Sequence, residues 1–268
     1  MPRPVLTAIV VALALPSSGC WLLSTAVDNT LDSAASSAGN RVGQRMGDQA
    51  ADSVYPAGTA PGGAFGSPQF VAMYTSMIFN YAFSAGGFAV SDVPYKPGQY
   101  ARFSLTSKDG HPGTLERAFL GDDASGNEWW QVKFSDDQNK QTTVLEALLD
   151  QKESKMLRLR AKFPDDKAGH ELALTDQTYY VPPTHLSKDS IKGATQGIQT
   201  LTTPAGTFQA RHVVFGSGNG TIEWWLNDSV PGGLVEEVGK NANSSANDFT
   251  IELSAYGDGV KSELGSLP

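Results

Sequence analysis

The sequence contains few residues that could cross-link the chain or hold a metal. Cys20 is the single cysteine among 268 residues, so a disulfide within the chain and a cysteine-based zinc site are both excluded. The four histidines lie far apart, and none is at metal-ligand spacing from another. Acidic residues outnumber basic ones, and the net charge of −8 excludes the basic surface that nucleic acids bind. We therefore expect no metal, no cofactor and no nucleic acid.

Recognisable catalytic motifs are also missing. No Gly-x-Ser-x-Gly elbow, metal triad or spaced pair of carboxylates stands out along the chain. The glycine-rich run at 216–220 is not followed by the Lys-Ser/Thr pair of a phosphate-binding loop. The sequence therefore predicts that the protein is not an enzyme.

The hydrophobic run at the N-terminus is too short to span a bilayer. Val5 to Leu15 follows Arg3 and has the length of a signal-peptide core. Small residues then precede Cys20, and this pattern resembles the lipobox of bacterial lipoproteins. The resemblance implies that residues 1–19 are removed, that Cys20 carries acyl chains, and, because Trp21 is not Asp, that the anchor lies in the outer membrane facing the periplasm. The alternative is a plain secretory signal with Cys20 as an ordinary thiol.

Residues 20–54 read as a lipidated N-terminus followed by a helical tether rich in Ala and Gly. Small residues recur every four positions at Ala35, Gly39, Gly43 and Gly47. Such a seam allows close helix–helix approach and predicts self-association, although three glycines also weaken a helix by about 1 kcal/mol each. A weak helix in a simple tether is therefore the alternative. Residues 55–68 are rich in Pro and Gly and read as a linker.

The strongest helical periodicity in the chain runs from Gln69 to Ala85. Its apolar residues recur at helical spacing, and they are Phe70, Met73, Tyr74, Met77, Ile78 and Tyr81. An apolar stripe of this kind is typical of core packing. Methionine also suits an adaptable lipid site, so Phe70, Met73, Met77 and Tyr81 are candidate ligand-binding residues.

From Tyr100 onwards the periodicity is that of β-strands. Alternation over Met156 to Phe163 places Arg158 and Arg160 on one face, where they could meet acidic headgroups or a protein partner, or simply face solvent. Thr142 to Gln151 fits a short helix better than a strand. Ser187 is expected to cap a short helix ending at Ala194. The number of segments with this periodicity predicts nine or ten antiparallel strands in a domain over residues 69–257. The tail over 258–268 is expected to fray.

Two Trp-Trp pairs lie in predicted strands. Alternation places Trp130 beside Val132 and Phe134, and it places Trp224 beside Ile222 and Leu226. These two indoles are predicted inward, as core or as the wall of a ligand cavity. Trp129 and Trp225 then point outward, exposed or under a loop, and are candidates for an interaction surface.

Three motifs carry a resemblance to a known fold. They are TPAGTF at 203–208, the pair Trp224-Trp225, and VPGG at 230–233. Pro204-Ala205-Gly206 also predicts a tight hairpin, and VPGG is typical of turn chemistry that sets strand register. The pattern of the three motifs resembles periplasmic half-barrel domains related to the lipoprotein carrier LolA and the receptor LolB. The resemblance implies a mostly β (α+β) fold, in which a large curved antiparallel sheet holds the long amphipathic helix against its concave face. It also implies binding of acyl chains or lipids in that concavity.

The sequence thus predicts an envelope lipoprotein that binds a hydrophobic ligand or acyl chain in a half-barrel. A structural or interaction lipoprotein without a small-molecule ligand is the alternative.

Overall fold

The computed structural model describes residues 75, 76, 78, 79, 82 and 83, and then residues 91–107, 112–137, 140–175, 178, 180, 182, 186–217, 220–242 and 248–267. Eleven antiparallel strands form one curved, unclosed sheet with a half-barrel-like shape, so the predicted mostly β class is confirmed. The strands are Tyr100–Ser107 (β1), Gly113–Asp122 (β2), Glu128–Asp136 (β3), Gln141–Asp150 (β4), Lys155–Lys162 (β5), His170–Leu172 (β6), Thr195–Thr203 (β7), Gly206–Ser217 (β8), Gly220–Leu226 (β9), Leu234–Asn241 (β10) and Phe249–Gly257 (β11).

The strand order shows two meanders joined at the middle of the sheet. The order is β6-β5-β4-β3-β2-β1-β11-β10-β9-β8-β7. The first strand, β1, is at the centre of the sheet, and β2 to β6 follow it outward to one edge. The chain then crosses to the other edge at β7, and β8 to β11 lead back to the centre, where β11 pairs with β1. Tyr100 and Gly257 are therefore direct partners, and the sheet itself joins the two ends of the domain.

Two short elements at the second edge form as the sequence predicts. The helix Lys188–Ala194 begins after Ser187, whose side chain accepts a hydrogen bond from the Ser190 N–H, as an N-cap residue does. The turn after β7 contains Pro204 and ends at Gly206, whose φ of +139° is readily available only to glycine. The hairpin signal in TPAGTF is therefore confirmed.

The strand β4 corrects the prediction of a short helix at Thr142 to Gln151. Residues 143–149 are all buried, because each face of this strand is covered by other parts of the protein. A strand buried on both sides reads as a continuous apolar run instead of an alternating one. Without alternation, the run of Val, Leu and Ala resembles a helix in sequence.

Register and alternation define two faces of the sheet. The core face carries Trp130, Phe103, Ile251 and Trp224, and the main cluster of buried side chains lies on it. The outer face carries Trp129, Glu116, Glu236 and Trp225. Trp130 and Trp224 are thus on the inward face, as their alternation predicts.

Part of the predicted helix Gln69–Ala85 contacts the core face. Its described residues are helical and buried, and they include Ile78, Phe79, Ala82 and Phe83. Arg117 of β2 donates a hydrogen bond to the backbone carbonyl of Ala82, and Phe83 packs on Trp130. The full length of this helix and its course along the sheet lie outside the described residues, as do the tether and linker of residues 20–68.

Candidate functional site

The core face of the N-terminal meander is filled by aromatic rings around Trp130. The ring centroids of Phe83, Tyr95 and Phe119 lie 5.0, 5.1 and 5.0 Å from that of Trp130. The indole Nε1 donates to the Glu128 carboxylate at 2.8 Å, and only 5% of the residue is exposed. Such contacts are those of a close-packed core. Trp130 therefore acts as a core residue in this structure.

A charged side chain, Arg117, is buried within the same core. Its guanidinium donates to the Ala82 carbonyl and to the Tyr95 hydroxyl at 3.3 Å, and it lies 5.4 Å from the Phe103 ring centroid. Because buried charge is costly unless it is hydrogen-bonded, these partners explain how the core tolerates it. Arg117 links the helical residues to the sheet.

The core face of the C-terminal meander is more open. Trp224 of β9 and Phe215 of β8 are only half-buried, and their rings meet edge to face at 5.7 Å. Ile222, directly opposite Phe215, is also half-buried. These side chains form an apolar surface that the described residues leave partly accessible.

One acidic residue lies beside this apolar surface. Glu237 of β10 is the direct cross-strand partner of Trp224, on the core face, and is only 2% exposed. Its position gives the C-terminal half of the core face a polar group next to aromatic rings. Ligand sites commonly combine a mainly apolar lining with a few such polar groups.

The VPGG motif closes one end of this region by close backbone packing. Gly232 and Gly233 have φ of +75° and +76°, and a Cβ at either position would clash with Tyr95 or Ser91. The predicted turn chemistry is confirmed, and the reason for both glycines is positive φ together with a lack of space.

On the outer face, the side chain of Trp225 is held by contacts with His212 and Gln199. Its ring stacks on His212 at 4.4 Å with an interplanar angle of 7°, and its Nε1 donates to Gln199 Oε1 at 2.9 Å. The Gln199 amide nitrogen then donates to His212 Nδ1 at 3.1 Å, which leaves Nε2 as the atom that donates to Glu223 at 2.9 Å. Trp225 is half-buried in this network.

Two carboxyl groups on this face have pKa values shifted in opposite directions. Burial would raise the pKa of Glu223, but hydrogen bonds from Lys240 and His212 outweigh it and lower the pKa. Burial raises the pKa of Glu236, and the nearby carboxylates of Glu252 and Glu223 raise it further. Glu236 and Glu252 are direct cross-strand partners.

Of the two alternatives expected for Trp129, an exposed indole and an indole under a covering segment, the structure contradicts the first. Trp129 is 1% exposed, and the guanidinium groups of Arg158 and Arg160 lie 5.4 and 4.7 Å from its ring centroid. These cation–π contacts come from the neighbouring part of the sheet and shield the ring from water. Trp129 is therefore not part of an accessible interaction surface in this structure.

The two arginines are also paired instead of forming a free basic row. Arg158 forms a bidentate ion pair with Glu171, with both N–O distances at 2.8 Å. Arg160 is buried and pairs with Glu146 at 2.8 Å. Both the solvated-face interpretation and the headgroup interpretation fail for Arg160, because its charge is neutralised within the fold.

The C-terminal tail covers this patch of the outer face, which contradicts the expected fraying. Glu146, 0% exposed, accepts hydrogen bonds from the Ser262 hydroxyl and from the backbone N–H groups of Glu263 and Leu264. Gln131 donates to the same carboxylate at 2.9 Å. The carboxylate of Glu146 is thus the anchor point of the tail.

Sequence reasoning missed Glu146, Arg117 and Glu237. Arg117 and Glu237 lie in segments predicted as strands, and Glu146 lies in the segment predicted as a short helix. A single charged residue in an apolar run gives no sign of its partner. The one available signal was that Glu146 interrupts the run from Val144 to Leu149.

Several candidate residues lie outside the described part of the chain. These are the ligand candidates Phe70, Met73, Met77 and Tyr81, the lipidation candidate Cys20, and the seam residues Ala35, Gly39, Gly43 and Gly47. Within the described residues, no three His, Cys, Asp or Glu side chains are grouped as a metal site. No helix in that part is long and apolar enough to cross a membrane.

Several solved structures are similar to this chain. The chain is similar to a DUF1329 family protein from Desulfovibrio piger, at a TM-score of 0.30 and 9% sequence identity, over 73% of this chain and 95% of that chain. No protein-family model and no curated protein sequence matches the chain. At this TM-score the likeness is too loose to support an inference about function.

Proposed function

We propose that the protein is a lipid-anchored envelope lipoprotein that binds a hydrophobic ligand or acyl chain on the concave, core face of its half-barrel. The observation that carries the proposal is the contrast between the two halves of that face. Around Trp130 the rings are packed closely, whereas Trp224, Phe215 and Ile222 are only partly buried. An apolar ligand gains free energy by covering such a surface, at about 25 cal/mol per Å² of apolar area removed from water.

The proposal redistributes roles among the candidate residues. Trp224 forms the wall of the site, together with Phe215 and Ile222, and Trp130 supports it from the core. Phe70, Met73, Met77 and Tyr81 of the predicted helix Gln69–Ala85 remain the further candidates for ligand contact in this proposal. Cys20 carries the acyl chains that hold the domain at the outer membrane.

The experiment uses the adjacent tryptophans Trp224 and Trp225, which point to opposite faces. The full chain, extracted from membranes in detergent, is titrated with a brominated fatty acid while tryptophan fluorescence is recorded. Trp224→Phe is expected to lose most of the ligand-dependent quenching, because that indole is on the core face. Trp225→Phe is the matched control and is expected to keep it.

Equal quenching in both variants, or none in the unmodified chain, would contradict the site. Native mass spectrometry of the same preparation provides a second measurement, since bound lipid would add a defined mass to the protein. A protein free of lipid with a retained protein partner would instead favour the alternative, an interaction lipoprotein. That alternative draws support from Trp225, which the outer face leaves half-exposed.

A further inference from the structure

The hairpin of β7 and β8 extends beyond the rest of the sheet. Along β8, the pairing with β9 begins at Arg211, which lies opposite Leu226. Residues 206–210 of β8 therefore pair with β7 and not with β9. We call β7 together with residues 204–210 the arm.

One side of the arm is attached to the body of the protein. Phe208 and Ala210 are buried, and the Phe208 ring lies 6.1 Å from that of Tyr256 of β11. The Asn227 side chain also donates to the Gln209 backbone carbonyl at 2.9 Å. These contacts hold the arm in place, so its other side is presented to solvent as a fixed surface.

The solvent-facing side is mainly polar, and it carries no charged residue until Arg211, the cross-strand partner of Ile198 at its border with the body of the sheet. Its exposed side chains are those of Ile198, Thr200, Thr202, Thr207 and Gln209. Gln209 donates to the Thr200 hydroxyl at 2.8 Å, and the Thr202 and Thr207 hydroxyls are 3.0 Å apart. These side-chain hydrogen bonds connect β7 to β8 on the exposed side. Ile198 is 64% exposed, more than the other large hydrophobic residues exposed in the described part of the chain.

No charged residue occurs between Thr195 and Ala210, a run of sixteen residues. In a chain with 18% charged residues, about three would be expected there. Soluble proteins commonly protect a sheet edge with charges or proline, because an exposed edge presents unpaired backbone groups to other chains. Here the bulge at Gly197 protects only the start of β7, and Ile198–Thr203 follow it without a break in register.

The opposite edge of the sheet is of a different kind. β6 has three residues, His170–Leu172, and its central Glu171 is bonded to Arg158. Such a short, charged edge cannot match the length of β7, which disfavours head-to-tail stacking of β6 on β7. Two copies of β7 match in length, and their pairing about a two-fold axis closes the assembly at a dimer.

We propose that the arm is a self-association surface, on which the edge strand β7 of one protomer pairs antiparallel with β7 of a second copy of this chain. The distribution of charge favours a second copy of this chain as the partner. Two copies with a net charge of −8 repel each other over most of their surfaces, and the uncharged arm is where they approach without opposing like charges. A charged peptide would find no complementary group on the exposed side chains of β7.

The test is site-specific cross-linking in the full chain. Because one strand pair buries less than the roughly 1,000 Å² typical of stable interfaces, a covalent trap is better suited than a sizing column. Thr200→Cys and Thr202→Cys place a thiol on the arm. Thr106→Cys is the matched control, since Thr106 is an exposed threonine on the central strand β1, which is paired on both sides.

Under mild oxidation the arm variants are expected to form a disulfide-linked dimer of twice the chain mass, and the control is not. Adding Ile198→Lys to Thr200→Cys should reduce this dimer severalfold, because each copy would then carry a positive charge on the otherwise uncharged edge strand that it pairs. Thr106→Lys in the same background should leave it unchanged. Urea unfolding of each variant establishes that it is folded.

Equal cross-linking of the arm and control variants would overturn the proposal, as would an absence of dimer in folded arm variants. A cross-linked product with a mass other than twice that of the chain would identify a different partner and would overturn self-association as well. Dimerisation is independent of lipid binding, so either proposal can fail while the other holds.

Discussion

At the scale of single residues, the two inward tryptophans differ in their surroundings although their sequence contexts are alike. Trp130 has rings packed against it on three sides, whereas Trp224 contacts Phe215 and stays half-buried. The same period of two predicted both to be inward. How much of each ring is covered depends on segments distant in sequence, such as Phe83 and Tyr95 for Trp130.

Truncation of these two side chains should therefore have unequal costs. Trp130→Ala should lower the free energy of unfolding by about 3–5 kcal/mol, since it leaves a cavity in a close-packed core. Trp224→Ala should lower it by about 1–2 kcal/mol, because that side chain is already partly exposed. Urea denaturation followed by circular dichroism measures both, and equal losses would contradict the packing difference.

The raised pKa of Glu236 leads to a pH-dependent prediction. Burial and the carboxylates of Glu252 and Glu223 disfavour its charged form in the folded state. A carboxyl group whose folded pKa is raised favours folding below its unfolded pKa and loses that contribution as the pH rises through the folded pKa. At pH 7 the charged group therefore destabilises the fold.

Glu236→Gln should accordingly raise the urea midpoint at pH 7. The gain over the unmodified protein should shrink as the pH falls below the ordinary glutamate pKa, where both proteins are neutral at this position. Glu153→Gln, at an exposed turn position, serves as the control and removes the same charge. A larger gain at acid pH than at neutral pH would refute the sign of the effect.

At the scale of elements, the C-terminal tail determines what lies on the outer face of β3 to β5. It brings the Ser262 hydroxyl and two backbone N–H groups to the buried Glu146, which is also paired with Arg160. Lys133 bridges Glu116 of the sheet and Glu263 of the tail. The guanidinium group of Arg160, which pairs with Glu146, also lies over the ring of Trp129.

Ending the chain after Lys261 tests this role of the tail. The deletion removes three hydrogen bonds to a charged carboxylate and should lower the free energy of unfolding by about 2–4 kcal/mol. Tryptophan emission should shift to longer wavelength as water reaches Trp129, and this shift should be absent when Trp129→Phe is combined with the deletion. Lys261→Ala, in the exposed part of the tail, is the control. If the deletion changed the free energy of unfolding and the emission wavelength no more than Lys261→Ala does, the role of the tail would be contradicted.

At the scale of the whole molecule, the sheet is organised around the pairing of β1 with β11. These strands are separated by almost the entire domain in sequence, so their pairing requires closure of a long loop. The two meanders on either side consist of hairpins between consecutive strands. The pairing of local hairpins is readable from turn residues, whereas the pairing at the centre is not.

The proposed attachment to the membrane involves the N-terminus of the full chain and is tested at that scale. Cys20→Ser should move the protein from the membrane fraction to the soluble periplasmic fraction, since the acyl chains would have no site of attachment. A serine substitution elsewhere in the tether, such as Ala35→Ser, should leave fractionation unchanged. Membrane association that persists in Cys20→Ser would refute lipidation at this residue.

The sequence by itself determined the strand class, the hairpin at Pro204 to Gly206, the cap at Ser187 and the inward faces of Trp130 and Trp224. These features depend on local steric preferences and on the period of two, both of which are written in consecutive residues. The tertiary structure alone decided that β4 is a strand, that Trp129 is buried, and that Arg160 and the C-terminal tail meet at Glu146. Each of these depends on a covering segment far away in sequence, because burial and ion pairing are properties of the neighbours in space and not of the residue type.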